Sequence, residues 1–119
     1  MKNRNRKNGV GYLMFWYDNL YLGKHCISRV NRLKYKITHR IPHPTVYLIA
    51  LPRSENSVLE MIPSQMLMQK VYPKDDLRII GMGADRGEAM ELMRQIIDEV
   101  YREQGHFDVA AFMDEGRRA

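Results

Sequence analysis

The chain has 119 residues, of which 45% are hydrophobic and 28% are charged. This length and composition fit a single folded domain with its own core, and they exclude a largely disordered protein. The single cysteine excludes an internal disulfide and a cysteine-rich zinc site, and it favours a reducing compartment such as the cytoplasm. No apolar run approaches the ~20 residues of a membrane helix, so we predict no membrane partner.

Positive charge is concentrated in the N-terminal third of the chain. The net charge is +5, but residues 1–44 hold ten Lys and Arg against one acid, Asp18. Residues 45–119 hold nine Lys and Arg against thirteen acids. A basic segment joined to an acidic one indicates a surface that faces a polyanion, or association between copies of the chain.

The first elements in chain order are a basic segment, a β-hairpin and a helix. Residues 1–9 offer almost nothing to bury, so we expect them to be disordered. The aromatic run Tyr12–Tyr17 predicts a strand that turns at Asp18-Asn19 into a second strand, Leu20–Leu22. Apolar residues at helical spacing predict a helix over Lys24–Arg40, which two following prolines end.

The middle of the chain predicts two strands on either side of a broken helix. Thr45–Leu51 is almost continuously apolar and predicts a strand covered on both faces. A capping-box pattern begins at Ser57, and Pro63 interrupts the segment, so we expect one kinked helix or two short ones over Ser57–Gln69. Leu77–Met82 predicts another strand.

The last long element has the clearest end signals. A helix is predicted over Asp85–Gln104, with Asp85 as its N-cap, Glu88 completing a capping box and Gly105 at its C-terminal end. Phe107–Met113 predicts a short docked turn, and residues 114–119 a frayed tail.

Together these elements predict one α/β domain over residues 10–113. Its sheet is small and mixed, with three to four strands (the N-terminal hairpin plus two strands), and it packs with three helices. Because helices alternate with apolar strands, we expect the sheet to be at least partly parallel.

A stripe of cations on the first helix is the leading candidate site. His25, Arg29, Arg32, Lys36 and Arg40 are spaced by three or four residues, so they share one side of the helix, away from its apolar face. We hypothesise that this stripe binds nucleic acid, or an acidic protein, together with the basic leader. The leader's cations are Lys2, Arg4, Arg6 and Lys7.

A glycine-containing junction is the alternative site. Gly81, Gly83 and Gly87 lie between a predicted strand and the helix that follows, where backbone N–H groups can bind a phosphate. The spacing departs from the dinucleotide fingerprint, because Arg86 occupies the position of its third glycine. Asp85 at the helix start also disfavours an anion.

Metal binding and catalysis have less support in the sequence. His39 and His43 have a ligand spacing only if one helix holds both, and Pro42 breaks that helix. Cys26 lies on the apolar face of its helix, as expected for an inert buried thiol. No cofactor, metal or catalytic residue is therefore predicted.

The C-terminal half carries a distinctive pattern. It consists of Leu77–Met82, Ala84–Ala89, Ile96–Tyr101 and Gly105–Val109. In this pattern the chain resembles, over roughly residues 45–110, small uncharacterised proteins of bacterial conjugative and other mobile elements. The resemblance implies a cytoplasmic bacterial protein with an accessory role near DNA, and it implies no activity and no site residues.

The sequence thus predicts a non-catalytic accessory protein that contacts nucleic acid or an acidic partner through its basic third. One alternative is a small nucleotide- or phosphate-binding protein that uses the Gly81–Gly87 junction. Another is a homo-oligomeric assembly protein that uses the charge asymmetry and a methionine-rich surface.

Overall fold

The described part of the chain forms a mixed sheet of four strands. A computed structural model of the protein describes residues 14–54, 57–73 and 76–114. The strands are β1 (Phe15–Leu22), β2 (Tyr47–Ala50), β3 (Glu60–Pro63) and β4 (Arg78–Gly83), in the spatial order β1-β4-β2-β3. β1 runs parallel to β4, whereas β2 is antiparallel to both β4 and β3. The sheet is therefore partly parallel, as predicted.

Within the described residues, three α-helices pack on this sheet. They are α1 (Val30–Thr38), α2 (Arg86–Gln104) and α3 (Val109–Asp114). Short 3-10 helices cover Ile27–Arg29 and Ser64–Met68. The predicted small α/β fold, a mixed sheet of up to four strands with three helices, is confirmed. Within the described ranges, no helix has the length and apolar character that crossing a bilayer requires.

The helices lie on opposite faces of the sheet. One buried cluster joins Leu33 of α1 to Leu48 of β2. The other joins Ile49 of β2 to Ile96 of α2 and Phe112 of α3. Because successive strand residues point to opposite faces, the apolar run in β2 supplies both clusters at once. The molecule thus has three layers, with α1 on one side of the sheet and α2 and α3 on the other.

The predicted N-terminal hairpin is wrong. Phe15–Leu22 is one strand, and its partner is β4 rather than a neighbouring segment. The register shifts within it: Trp16 lies opposite Ile79, but Tyr21 lies opposite Gly81. The intervening residues of β1, among them the predicted turn, therefore form a bulge in a continuing strand.

The predicted helix over Ser57–Gln69 is also wrong. Glu60–Pro63 forms edge strand β3, which pairs with β2, and a 3-10 helix follows. An edge strand tolerates a proline because one side of its backbone needs no ladder partner. Glu60 does not cap a helix. Its carboxylate accepts hydrogen bonds from the Arg53 backbone N–H at 3.0 Å and from the Arg53 guanidinium at 3.1 Å.

α1 is shorter than predicted, and α2 has the predicted ends. The segment before α1 is a turn and a 3-10 helix, and no side chain caps α1 at Arg29. α2 is capped by Asp85, whose carboxylate accepts from the Glu88 N–H at 2.8 Å. Gly105 adopts a left-handed conformation, with φ of 74°, just beyond the last turn. Each of the two ends of α2 thus has a local chemical cause.

Two predicted end segments fall mostly outside the described ranges. The basic leader, residues 1–9, lies entirely outside, and so do residues 115–119 of the predicted tail. Asp114, assigned to the tail by the sequence, is the last residue of α3. Its carboxylate accepts a hydrogen bond from the Tyr17 hydroxyl at 2.8 Å. Burial and this bond together raise the pKa of Tyr17 to about 12.

Candidate nucleic-acid interface

The outer flank of α1 carries the described part of the predicted cation stripe. Leu33 and Ile37 are buried against the sheet and define the inner face of the helix. With about 3.6 residues per turn, Arg32 and Lys36 lie together on one flank of that face. Arg32 is exposed and Lys36 is half-buried. We call the side of α1 and its flanking turns that bears Arg29, Arg32, Lys36 and Arg40 the α1 flank.

The cations of the α1 flank are not neutralised by described carboxylates. Among residues 14–54, 57–73 and 76–114, the salt bridges are formed by other side chains, and none involves Arg32, Lys36 or Arg40. The Arg29 guanidinium folds back on its own turn, where Nε and Nη2 donate to the His25 carbonyl at 3.1 and 3.0 Å. This contact orders the arginine and leaves its charge in place.

Arg40 ends the helix in an unusual conformation. Its φ is 56°, in the left-handed region that glycine favours. The Arg40 N–H donates to the Ile37 carbonyl at 3.2 Å, and the Ile41 N–H donates to the Lys36 carbonyl at 2.8 Å. These two bonds form a Schellman motif with arginine at the position usually held by glycine. Arg40 therefore follows the helix but departs from its regular spacing.

His25, the first member of the predicted stripe, is engaged elsewhere. Its Nδ1 lies 2.9 Å from the Glu88 carboxylate, at the start of α2. The other Glu88 oxygen accepts from the Ala84 N–H at 2.6 Å. Burial opposes ionisation of Glu88, but the Ala84 and His25 bonds prevail and lower its pKa below the ordinary value. Glu88 thus joins the turn before α1 to the first turn of α2.

Two aromatic residues lie beside the cations of the α1 flank; Tyr35 was missed as a functional candidate, and His39 was considered only as a metal ligand. Tyr35 and His39 have ring centroids 4.1 Å apart, with a tilt of 32° between the rings. Tyr35 is 58% exposed. The sequence contained a signal for this pair. Tyr35 and His39 are four residues apart, which brings two side chains together on a helix, and Arg32 and Lys36 each lie three residues before one of them.

The opposite flank of α1 packs against β1. The indole Nε1 of Trp16 donates to the Thr38 hydroxyl at 3.1 Å, and the Lys34 ammonium lies 5.8 Å from the centre of the indole ring. Trp16 is the only tryptophan of the chain. Its fluorescence therefore reports on the environment of α1.

Comparisons with known proteins do not extend this picture. No family model, curated protein or solved structure matches the chain.

The basic leader supplies the remaining cations of the predicted interface. Lys2, Arg4, Arg6 and Lys7 lie outside the described residues. Their contribution stays a prediction.

Two glycines of the alternative site have structural roles. Gly81 and Gly83 are buried within β4, and a Cβ on Gly83 would meet the Ala89 backbone nitrogen at 2.7 Å. Gly87 is exposed in the first turn of α2. The Asp85 and Glu88 carboxylates already accept from N–H groups at this helix start, and their charge opposes an anion there. Phosphate binding at the junction stays a prediction.

The histidines considered as metal ligands are held by other contacts. His39 Nδ1 bonds to the Tyr35 carbonyl at 2.8 Å. His43 bonds to the Ile41 carbonyl and, through Nε2, to the Ser64 hydroxyl at 2.9 Å. Among the residues that the structure describes, no group of three His, Cys, Asp or Glu side chains has the geometry to hold a metal ion.

Two nucleophilic side chains are buried. Ser64 is fully buried, and its hydroxyl accepts the Val46 N–H at 3.0 Å. This serine joins the loop before β2 to the end of β3 and has no exposure to a substrate. Cys26 is also fully buried, and burial raises the pKa of its thiol. Both side chains therefore fit structural roles.

An open cleft of about 630 Å³ lies between the loop after β2 and the segment before α3. Of the residues that the structure describes, Arg53 and Asp108 are the charged ones that line it. The Arg53 guanidinium donates to the Glu60 carboxylate and to the Pro73 carbonyl, and Asp108 accepts the Ala111 N–H at 3.1 Å. Both charged groups are thus engaged within the protein.

Proposed function

We propose that the protein is a non-catalytic nucleic-acid-binding protein and that the α1 flank contacts the phosphate backbone. The observation that supports the proposal is a set of cations on α1 and in the turn that ends it, which lack described carboxylate partners. Arg32, Lys36 and Arg40 form no salt bridge within the described ranges. Their charge is available to a polyanion without breaking any ion pair that the described residues form.

The proposal predicts a strong dependence on salt. Each phosphate neutralised by a Lys or Arg releases counterions, and the slope of log K against log salt is about −0.9 per contact on duplex DNA. Four contacts from the α1 flank would lower the affinity on the order of 100-fold between 50 and 200 mM salt. Cations of the leader would steepen this dependence.

The test compares two triple variants of the full chain that remove equal charge. In the first, Arg29, Arg32 and Lys36 become alanine. In the control, three exposed arginines of α2, on the other side of the sheet, become alanine: Arg86, Arg94 and Arg102. Fluorescence anisotropy of a labelled oligonucleotide, titrated at several salt concentrations, gives both the affinity and the slope.

We expect the first variant to bind at least tenfold more weakly and with a shallower salt slope, and we expect the control to stay near wild type. Absence of binding by the wild-type protein at 50 mM salt would refute the proposal. An equal loss in both variants would show that net charge, and not the α1 flank, determines the affinity.

The proposal includes the setting that the sequence resemblance implies. A cytoplasmic bacterial protein with an accessory role near the DNA of a mobile element would meet the polyanion that the α1 flank fits. Light scattering on the same samples tests the assembly alternative. A homo-oligomer whose formation is abolished by the α1-flank variant would favour assembly through this surface.

A further inference from the structure

We propose that Tyr35 and His39 stack on an unpaired base, so that the α1 flank prefers single-stranded over duplex nucleic acid. The inference rests on the proposed function and names its substrate class. Exposed aromatic rings beside cations are the recurring means by which proteins bind single strands without reading their sequence.

The pair is ordered before any ligand arrives. The His39 ring donates from Nδ1 to the Tyr35 carbonyl at 2.8 Å, which fixes its orientation one turn beyond Tyr35. The two rings then lie 4.1 Å apart. A base that stacks on them would cost little side-chain entropy, because the rings already hold their places.

The position of the Tyr35–His39 pair fits a single nucleic-acid strand that runs along α1. Arg32 precedes Tyr35 by three residues and Lys36 precedes His39 by three, so a cation lies one turn before each ring on the same flank. Phosphates on either side of a stacked base would then meet Arg32 and Lys36. Arg40, just beyond the pair, extends the same basic path.

A duplex would use these groups less well. Its bases are stacked on one another, so Tyr35 could reach a base face only by opening a step, and that opening costs free energy. The cations would still contact duplex phosphates. Duplex binding should therefore survive as the weaker, purely electrostatic mode.

A second aromatic pair in the molecule supplies a matched control. Tyr101 and Phe107 stack at 4.9 Å and are 51% and 53% exposed. They lie on the α2 side of the sheet, away from the α1 flank. If exposed tyrosine alone were enough for base stacking, Tyr101→Ala would affect binding as Tyr35→Ala does.

The experiment measures three ligands of equal phosphate number: a thymidine oligonucleotide, its abasic analogue, and a duplex. The proteins are wild type, Tyr35→Ala, Tyr35→Phe and Tyr101→Ala, with circular dichroism and Trp16 fluorescence confirming that each is folded. One stacked base is worth on the order of 5- to 100-fold in affinity. We expect Tyr35→Ala to lose that factor on the thymidine strand and nothing on the abasic strand.

Tyr35→Phe, which keeps the ring, should bind the thymidine strand as wild type does, and so should Tyr101→Ala. A wild-type preference for the duplex would overturn the inference, and so would equal effects of Tyr35→Ala on the thymidine and abasic strands. Both of these outcomes leave salt-dependent binding intact. Failure of the proposed function is different, because the wild type would then bind none of the three ligands at low salt.

Discussion

Substituting alanine for Gly83 should destabilise the protein, whereas the same change at Gly87 should not. A Cβ on Gly83 would lie 2.7 Å from the Ala89 backbone nitrogen and 2.9 Å from its Cα. Carbon atoms in good contact are about 3.5–4.0 Å apart. The first turn of α2 would therefore have to move from β4 by roughly 1 Å.

The size of the loss in stability depends on which atoms must move. Overpacking a buried site costs about 1–3 kcal/mol, and a helix backbone yields less easily than a side-chain end. The smaller unfolded-state entropy of alanine returns about 0.4–1 kcal/mol. Because helix backbone must move, the cost lies at the upper end of the first range, and we expect a net loss of about 2 kcal/mol for Gly83→Ala, or roughly 5–10 °C in Tm for a chain of this size.

A Cβ on Gly87 would lie 3.5 Å from Asp85 Oδ1, which is an ordinary van der Waals contact. Alanine there suits the first turn of α2 better than glycine does and should stabilise the protein by up to about 1 kcal/mol. Urea denaturation followed by Trp16 fluorescence measures both variants. If Gly83→Ala unfolded at the wild-type urea concentration, the argument from close packing would be refuted.

Three other substitutions test the roles assigned to individual residues. Glu88→Gln should cost about 1–2 kcal/mol in urea denaturation at pH 7, clearly more than Glu91→Gln on the exposed side of α2. Because the pKa of Glu88 is lowered in the folded state, its carboxylate contributes fully to the free energy of unfolding above about pH 5, and this contribution is lost as the pH falls through the folded pKa. If Glu88→Gln were as destabilising at pH 3 as at pH 7, this reasoning would be contradicted. Arg40→Gly should raise stability by about 0.5–1 kcal/mol while weakening binding to nucleic acid, and decreased stability would show that the left-handed arginine is not strained. Ser64→Ala should cost about 1–3 kcal/mol, seen as a lower Tm by calorimetry, because it leaves a buried N–H without its acceptor; an unchanged Tm would refute this role.

The ends of α2 were predictable from the sequence because their causes are local. The Asp85 carboxylate bonds to an N–H three residues away, and Gly105 accepts the left-handed conformation with no neighbour's help. Neither contact depends on the rest of the fold. A sequence pattern whose contacts all lie within one helical turn can be interpreted from the sequence alone.

The same kind of pattern failed at Ser57 and Glu60. The spacing matches a capping box, but Glu60 bonds to Arg53, and its backbone belongs to a strand that pairs with β2. Asp18-Asn19 failed similarly, because β1 pairs in parallel with β4, which lies far along the chain. Pairing with distant strands overrode local turn and cap signals in both places.

Some features of the candidate site were predictable from the sequence, and others required the fold. The positions of Arg32 and Lys36 followed from helical spacing, and the Tyr35–His39 pair could have been found by that reasoning. The engagement of His25 could not, because its partner Glu88 lies 63 residues away. Helix spacing predicts which side chains share a flank, but only the fold shows which carboxylates reach them.

The position of α1 explains why the charge asymmetry of the sequence persists in space. Most described acids of the C-terminal part lie on or next to α2, across the sheet from α1, where Glu91 pairs with Arg94 and Asp98 with Arg102. Each interlayer spacing is on the order of 10 Å, more than the Debye length of about 8 Å at physiological ionic strength. Acids on the far side of the sheet are therefore largely screened from the α1 flank. The sheet separates most of the α2 acids from Arg32 and Lys36, so a polyanion that approaches these cations meets little repulsion from α2; the exception is Glu88, which contacts His25 in the turn before α1.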